Sequence, residues 1–491
     1  MNALVLISVI LASPPVFAAT YYIDFLAGHD EADGLTRATA WKTIPGTQKN
    51  NGVWADSLHA DWGAHTVDSS HKVPPATVFK LRPGTTYDVS LGGVIWINNN
   101  FYTDTATWNN PIRFEVDPVW GTGPVVFDGT GLDLTTLIGI LLIQNNGVQF
   151  DGNVPGGIEI RNSPRSGIHV KEKNGTGYPV LQSSFRNLKF FNNGTSYLTD
   201  TAGAGDGQLN VRHADGFTAD HLECDGNHNF INGILLGDGH KAVINAKVTD
   251  SVAYSHQGDL VTNDAGIGFK ALNGQVTFLR NRSYNNLKGF DLGEGHGDNR
   301  DMMYKLIDNT ADGNVWGINL NSTADIAYTG KSNYFLINNL VYKNSGTGSN
   351  IYAGPFNLYA VHNVYADNGD TAVDGGNFRV TPDGTRDETQ INVYLYNNIF
   401  YKPHALKYNW NLQVGYIGDG SPGRDTNFNL YSDYNAWVQN NTEPFAFWSF
   451  NAAPQFTYAY GVNGPGHAGG AWFAQEDEPG IGIGHSHCDA H

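Results

Sequence analysis

The middle of the chain repeats a short pattern in which apolar and polar residues alternate between two polar ends. The pattern occurs eight times between residues 186 and 402, as RNLKFFNN, DHLECDGN, DSVAYSH, RNRSYNN, DNTADGN, NNLVYKN, HNVYADNG and NNIFYK. Successive side chains of a β-strand point to opposite faces, so this alternation predicts strands, and the Asn, Asp and Gly residues at the ends predict turns. The segments therefore form a series of similar strand and turn units.

The polar turn residue of each unit recurs at a nearly constant interval. Alignment of the units places these residues at Asn187, His221, Ser251, Asn281, Asn309, Asn339, Asn363 and Asn398, at intervals of 34, 30, 30, 28, 30, 24 and 35 residues. An internal repeat of this length, with two or three short strands and no helical period, predicts a solenoid in which each repeat is one coil of a parallel β-helix. Asparagines at equivalent turns predict a hydrogen-bonded ladder that stabilises the stack.

Four further segments share a glycine, an apolar residue and a variable residue, and their equivalent positions are predicted to stack in a column from coil to coil. They are NGILL (232–236), GFKAL (268–272), GFDLG (289–293) and GINLN (317–321). Strand alternation places the apolar residues Ile234, Phe269, Phe290 and Ile318 inside the coils. It places Leu235, Lys270, Asp291 and Asn319 outside, along one face. Because paired strands lie about 4.8 Å apart, Lys270 and Asp291 are predicted to be neighbours on a surface.

Composition agrees with an all-β protein. The chain has 491 residues, of which 59 are Gly, 12% are aromatic and only 15% are charged, and such a chain can bury a large core in one long domain. We expect about ten coils, with residues 20–150 forming an N-terminal cap and the first coils, 151–404 the regular coils and 405–491 a covering segment. Caps protect the open edges of the terminal coils.

Further features restrict the location and the partners. Residues 1–19, MNALVLISVILASPPVFAA, predict a secretory signal, and their apolar run is shorter than the roughly 20 residues of a membrane span. The two cysteines, Cys224 and Cys488, cannot form a disulfide framework. The net charge of −18 argues against nucleic acid, which needs clustered Lys and Arg. An acidic polymer would need basic residues concentrated locally. We expect a secreted monomer without a membrane partner.

Lys270 is the candidate for chemistry on the outer face. A lysine can act as a general base where burial and positive neighbours disfavour the ammonium form. Asp291, in the next coil, acts in the opposite sense. The residues alone therefore leave open whether Lys270 is a base or a charged surface residue.

Five segments of the chain resemble the family 9 polysaccharide lyases, which are secreted right-handed parallel β-helix enzymes typified by pectate lyases. They are the opening YYIDFLAGHDEADGLTRATAWKTI, HADGFTA at 213–219, SVAYSHQG at 251–258, GIGFKAL and KGFDL. The resemblance implies that Lys270 is the Brønsted base that removes the C5 proton of a uronic acid residue. β-Elimination then expels the sugar linked through O4 and leaves a 4,5-unsaturated product. The substrate carboxylate must be neutralised to stabilise the enolate-like transition state.

The resemblance also implies Ca²⁺, held by the aspartate of the ADGF segment and by three aspartates of a later segment. Asp215 corresponds to the first, but Ile231, Asn232 and Leu235 stand at the positions of the other three. Ca²⁺ prefers six to eight oxygen ligands, so Asp215 and Asn232 are an incomplete candidate site. Alternatively, Arg280, Arg282, Lys288 or Arg300 neutralises the uronate directly. We therefore expect a uronate-containing polysaccharide other than pectate.

Three more residues are candidates for substrate binding. Asp291 lies beside Lys270 on the predicted face, and His256 and Asp259 lie in the SHQGDLVTND turn that precedes the Lys270 strand. Two rival functions use the same fold. A glycoside hydrolase would use two carboxylates, such as Asp291 with Glu294 or Asp215 with Asp259, since the separation that such enzymes need cannot be read from sequence. A non-catalytic protein would bind the glycan and release nothing.

Overall fold

The computed structural model describes sixteen stretches of the chain. They are residues 19–48, 72–132, 139–173, 177–197, 205–238, 241–258, 265–293, 301–321, 332–352, 356–369, 376–381, 390–401, 410–414, 427–438, 445–447 and 455–458. Within them the structure confirms the predicted fold, an all-β right-handed parallel β-helix. The helices are one α-helical turn at Val89–Gly92 and one 3₁₀ turn at Arg37–Thr39.

The strands form three long sheets that run along the solenoid. Sheet 1 contains Thr20–Ile23, Val78–Leu81, Ile112–Val116, Val148–Asp151, Val180–Leu181, Ser184–Arg186, Ala214–Asp215, Thr218–Asp220, Val243–Thr249, Gly274–Leu279, Met302–Ile307, Ser332–Ile337, Phe356–Val361, Gln390–Tyr396, Asn427–Asp433 and Gln455–Tyr458. Sheet 2 contains Thr86–Asp88, Val125–Asp128, Ile158–Arg161, Leu188–Phe191, Glu223–Asp225, Val252–Tyr254, Arg282–Tyr284, Thr310–Asp312, Leu340–Tyr342, Val364–Ala366, Ile399–Tyr401 and Ala436–Val438. Sheet 3 contains Thr47–Gln48, Val94–Ile97, Gly139–Ile143, Ser166–Val170, Gly207–Val211, Asn232–Leu236, Ile267–Ala271, Lys288–Leu292, Trp316–Asn321, Thr347–Tyr352, Gly376–Thr381, Trp410–Val414 and Phe445–Phe447.

Each regular coil passes through sheet 1, sheet 2 and sheet 3 in that order, and each strand pairs with its equivalents in the coils before and after it. The pairing is parallel except where Thr47–Gln48 meets Val94–Ile97 antiparallel. The stack is longer than the about ten coils expected, since sheets 2 and 3 have 12 and 13 strands and sheet 1 has 14 strands in succession. The other two strands of sheet 1, Val180–Leu181 and Ala214–Asp215, share their coils with Ser184–Arg186 and Thr218–Asp220. The extra strands lie before residue 150 and after residue 405, where the Asn pattern of the repeat is weak.

Apolar side chains fill the interior and stack from coil to coil. The rings of Phe269 and Phe290 lie parallel, with centroids 5.0 Å apart, and Phe278 packs against both edge-on. Nearer the N-terminus, Phe79, Phe114 and Phe150 form a similar stack. Such pairs contribute about 0.5–1.5 kcal/mol each beyond the area that they bury. The interior column predicted from the GFK and GFD segments is confirmed, because Ile234, Phe269, Phe290 and Ile318 pair in register and are buried.

The predicted ladder lies at the turn between sheets 1 and 2. The side-chain oxygen of Asn309 accepts from the backbone and side-chain amides of Asn281, at 2.9 and 3.1 Å, and its own amide group donates to Asn339. The same contacts continue from Ser251 through Asn281, Asn309, Asn339, Asn363 and Asn398 to Asn435. The alignment was wrong by one residue for Asn187 and His221. Both share the register position of Asp250, which has a left-handed backbone conformation and immediately precedes the ladder residue Ser251. Asn and His both tolerate that conformation, so the sequence pattern does not separate the two positions.

The sequence analysis missed a second ladder, at the turn between sheets 2 and 3. It runs through His256, Asn286, Asn314, Asn344 and Asn368. The side-chain oxygen of each asparagine accepts from the backbone N–H of the ladder residue one coil earlier. The regular spacing of Asn286, Asn314 and Asn344 was its sequence signal.

Several predictions fall at or beyond the limits of the described stretches. Residues 1–18 of the predicted signal, Arg300 and Cys488 lie outside them. Cys224 is a free, fully buried cysteine. In the described stretches, neither helical turn has the length or the apolar character that crossing a membrane requires.

Candidate functional site

The outer column of sheet 3 has the register that the sequence predicted. Leu235 pairs with Lys270, Lys270 with Asp291 and Asp291 with Asn319. These four residues are more buried than an open sheet face would be, because the exposed fractions of the whole residues are 2, 4, 6 and 5% respectively. The column is therefore a largely dry environment, in which charges interact more strongly than in water.

The Gly-aromatic step, which recurs at Gly268 and Gly289, has a steric cause. A Cβ on Gly268 would lie 2.2 Å from Oγ of Ser283, and one on Gly289 would lie 2.4 Å from the carbonyl oxygen of Gly317. Glycine is needed where the chain enters sheet 3, since a larger residue would push the coils apart. The step keeps the next two residues, one inside and one outside, in register between coils.

Asp291 is the centre of a hydrogen-bonded cluster. Its Oδ2 accepts from Nζ of Lys288 at 3.0 Å, and its Oδ1 accepts from the amide of Asn319 at 2.6 Å. Asn350 donates to Asn319 at 2.8 Å, which extends the chain of contacts by one coil. Lys288 also lies over the ring of Trp316, with Nζ 5.6 Å from its centroid.

We call Lys270, Lys288, Asp291 and Asn319 the lysine cluster. It brings together three of the predicted site residues, Lys270, Lys288 and Asp291. The formal charges of its two lysines and one aspartate sum to +1, on a protein whose formal net charge is −18. Simple alternation would have placed Lys288 inside with Phe290, but its contact with Asp291 three residues later puts it on the outer face.

The structure does not bring the two predicted arginines to this cluster. Arg280 lies in the turn before sheet 2 and bonds Asp250 through two nitrogens, at 2.7 and 2.6 Å. Arg282 lies on sheet 2 and bonds Asp312 in the same way, at 2.9 and 2.8 Å. Both are half-exposed and belong to another face of the solenoid.

Of the two candidate residues in the turn before the Lys270 strand, His256 and Asp259, the structure describes only His256. His256 is buried within the second ladder, where its Nε2 lies 3.3 Å from the carbonyl oxygen of Cys224. Burial lowers the pKa of His256 to about 4, so this imidazole is neutral and structural. Asp259 lies outside the described residues, as does Glu294.

The two candidate calcium ligands do not fit a common ion. Asn232 opens its sheet 3 strand opposite Gly207, whereas Asp215 lies in sheet 1, beyond the far end of that strand. The amide of Asn232 donates to the carbonyl of Asp206 at 3.0 Å and its oxygen accepts from the backbone of Ile267 at 3.2 Å. Asp215 accepts from Asn245 at 2.8 Å. The amide of Asn232 is thus used to join coils.

A second polar cluster, which the sequence analysis missed, lies on the same sheet face nearer the N-terminus. Asp206 is 2% exposed and accepts from Arg165 at 2.8 Å, from Arg212 at 3.3 Å and from Asn210 at 3.0 Å. The hydroxyl of Tyr197 also donates to it. No repeated motif marks these residues, because they come from three separate segments.

No protein-family model and no curated protein matches the chain. Among solved structures, the chain is similar to the A-module of mannuronan C-5 epimerase AlgE6 from Azotobacter vinelandii, at 13% identity over 84% of this chain and 96% of that one, with a TM-score of 0.45. It is also similar to pectate lyase Pel9A, at 14% identity over 85% of this chain and 80% of that one, with a TM-score of 0.38. A third similar structure is GH136 lacto-N-biosidase from Eubacterium ramulus, at 12% identity over 91% of this chain and 67% of that one, with a TM-score of 0.34. Likeness at this level carries no argument about activity, and membership of family 9 stays a prediction.

Proposed function

We propose that the protein is a polysaccharide lyase that cleaves a uronate-containing polysaccharide by β-elimination, with Lys270 as the general base. The observation that carries the proposal is the lysine cluster, in which two buried lysines flank one carboxylate on the outer face of a long solenoid. An extended polymer fits such a face.

The contacts of Asp291 support the role of Lys270. A base must hold a lone pair, and a carboxylate beside a lysine favours its ammonium form. Here Asp291 already accepts from Lys288 and Asn319, so its charge is shared rather than directed at Lys270 alone.

The proposed step balances as follows. Nζ of neutral Lys270 takes the C5 proton, and the electron pair of that bond forms the double bond between C4 and C5. The bond from C4 to the leaving oxygen breaks, and this oxygen takes a proton from solvent. Lys288, which donates to Asp291 in the register position next to Lys270, would offset the substrate carboxylate, whose charge spreads as the C5 proton leaves. No step is assigned to calcium.

The test is a panel of acidic polysaccharides incubated with the purified protein, while the ultraviolet absorbance of the unsaturated product is recorded. Elimination predicts a rise with wild type and none with Lys270→Ala. Lys247→Ala, an exposed lysine on sheet 1, is the matched control. New reducing ends without absorbance would favour the hydrolase. Binding without any product, unchanged in Lys270→Ala, would favour the non-catalytic protein.

A further inference from the structure

The polar cluster around Asp206 leaves several buried polar atoms without a hydrogen-bond partner. In the described part of the structure these are Ser166 Oγ, both ring nitrogens of His169, Asn210 Oδ1 and Arg212 Nε. All five atoms belong to two adjacent coils of sheet 3 or to the residue that follows the second strand. Folded proteins leave few buried polar groups unpaired, and such a concentration indicates an absent partner that has both donors and acceptors.

His169 lies in line with the lysine cluster. It pairs in register with Asn210, Asn210 with Leu235 and Leu235 with Lys270. His169 and Lys270 therefore occupy the same outer column, three coils apart, which is about 14 Å at the ordinary strand spacing. One extended polymer on this face reaches both positions.

The charge around His169 is positive. Arg165 and Arg212 share the single carboxylate of Asp206, and their side chains are 28 and 31% exposed. Burial and the nearby charges of Arg212, Lys171 and Arg165 hold the pKa of His169 well below its usual range. The neutral imidazole offers one donor and one acceptor within the electrostatic influence of the two guanidinium groups.

We propose that Arg165, His169 and Arg212 form a second carboxylate-binding site for the uronate chain, three coils before Lys270. We call it the distal subsite. It deepens the proposed function and rests on it for the nature of the ligand. A carboxylate supplies acceptors for the guanidinium groups, as in other charge-assisted pairs. The sugar hydroxyls supply donors for Asn210 and acceptors or donors for His169 and Ser166.

The first test measures binding without turnover. Oligogalacturonates and oligomannuronates from dimer to octamer are titrated by calorimetry into Lys270→Ala protein, alone and combined with Arg212→Gln. We expect the added substitution to weaken binding of the octamer by about tenfold or more, the usual effect of losing a charge-assisted hydrogen bond. The dimer, too short to span both positions, binds equally to the two proteins.

Two further variants guard the interpretation. His169→Phe removes the unpaired nitrogens but leaves Asp206 and its arginines intact, so it weakens octamer binding even if Arg212→Gln fails to fold. Arg186→Gln removes an arginine that is paired with Asp220 on sheet 1 and should change nothing. Thermal unfolding confirms that each variant is folded. Octamer binding by folded Arg212→Gln and His169→Phe equal to that of the parent would overturn the proposal.

The outcomes separate this proposal from the lyase. If wild type eliminates nothing but octamer binding falls in both variants, the distal subsite stands and the lyase fails. If wild type eliminates and Arg212→Gln cleaves every oligomer length at the parental rate and affinity, the lyase stands and the distal subsite fails.

Discussion

Lys288 and Asp291 form an ion pair within one strand, with Nζ and Oδ2 3.0 Å apart and the side chains only 7 and 9% exposed. A pair this buried loses hydration on both sides, so its net contribution to stability is small, whereas removal of one partner leaves an unpaired buried charge. The pair belongs to the proposed site, and function rather than stability accounts best for two charges at this depth.

Asp291→Asn should therefore destabilise the protein by about 3–5 kcal/mol. The double variant Lys288→Ile, Asp291→Leu, which places at these positions the residues of neighbouring coils, Ile267 and Leu235, should recover most of that loss. Thermal unfolding of wild type, single and double variants measures both effects. A double variant as unstable as Asp291→Asn would contradict this account of the pair.

Lys270→Ala should reduce elimination by about 10²- to 10⁴-fold, the usual contribution of a general base. The thermal midpoint should change little, because Lys270 does not hold the ladders or the interior together. Initial rates on the polysaccharide that wild type cleaves fastest provide the measurement. A variant that keeps more than half of the parental rate would rule out Lys270 as the base.

The turn ladders should be sensitive to single substitutions. Asn309→Ala removes donors to Phe278 and Asn339 and the acceptor of Asn281, and buried groups left unpaired cost about 1–3 kcal/mol each. We expect a clear drop in the thermal midpoint. Asn357→Ala, in a half-buried amide row on the outside of sheet 1, is the matched control and should cost much less. Equal drops in the thermal midpoint of the two variants would mean that the burial of the ladder does not add to its contribution to stability.

The pH dependence of stability should contain a contribution from His256. Burial lowers the pKa of His256 from its ordinary value of 6.5 to about 4 in the folded protein, so the unfolded chain binds the proton more readily. The stabilisation is complete above about pH 6.5 and is lost as the pH falls towards 4, by roughly 3 kcal/mol in all. His256→Asn, which carries the residue of the next ladder position, should lose less thermal stability between about pH 7.5 and about 4.5. A variant with the parental pH dependence would assign the effect to other groups.

The sequence predicted the fold and the outer column because both follow from a period. Lys270 and Asp291 could be paired in advance, since the Gly-aromatic step fixes the register of their strands. The burial of Lys270 and Asp291 could not be predicted, because the alternation of apolar and polar residues shows which way a side chain points and not what covers it. The cluster of Arg165, Tyr197 and Asp206 was missed for a related reason: its members come from three separate segments and meet only after the coils have stacked.

The coil-to-coil pairing also gives the solenoid a mechanical direction. Its backbone hydrogen bonds point along the axis, so tension along the axis loads the three sheets one coil at a time, whereas force across the axis loads many parallel strands together. The stack is therefore easier to peel than to shear. A protein held on a polymer under tension would lose its outermost coil first, because that coil is paired on one side only.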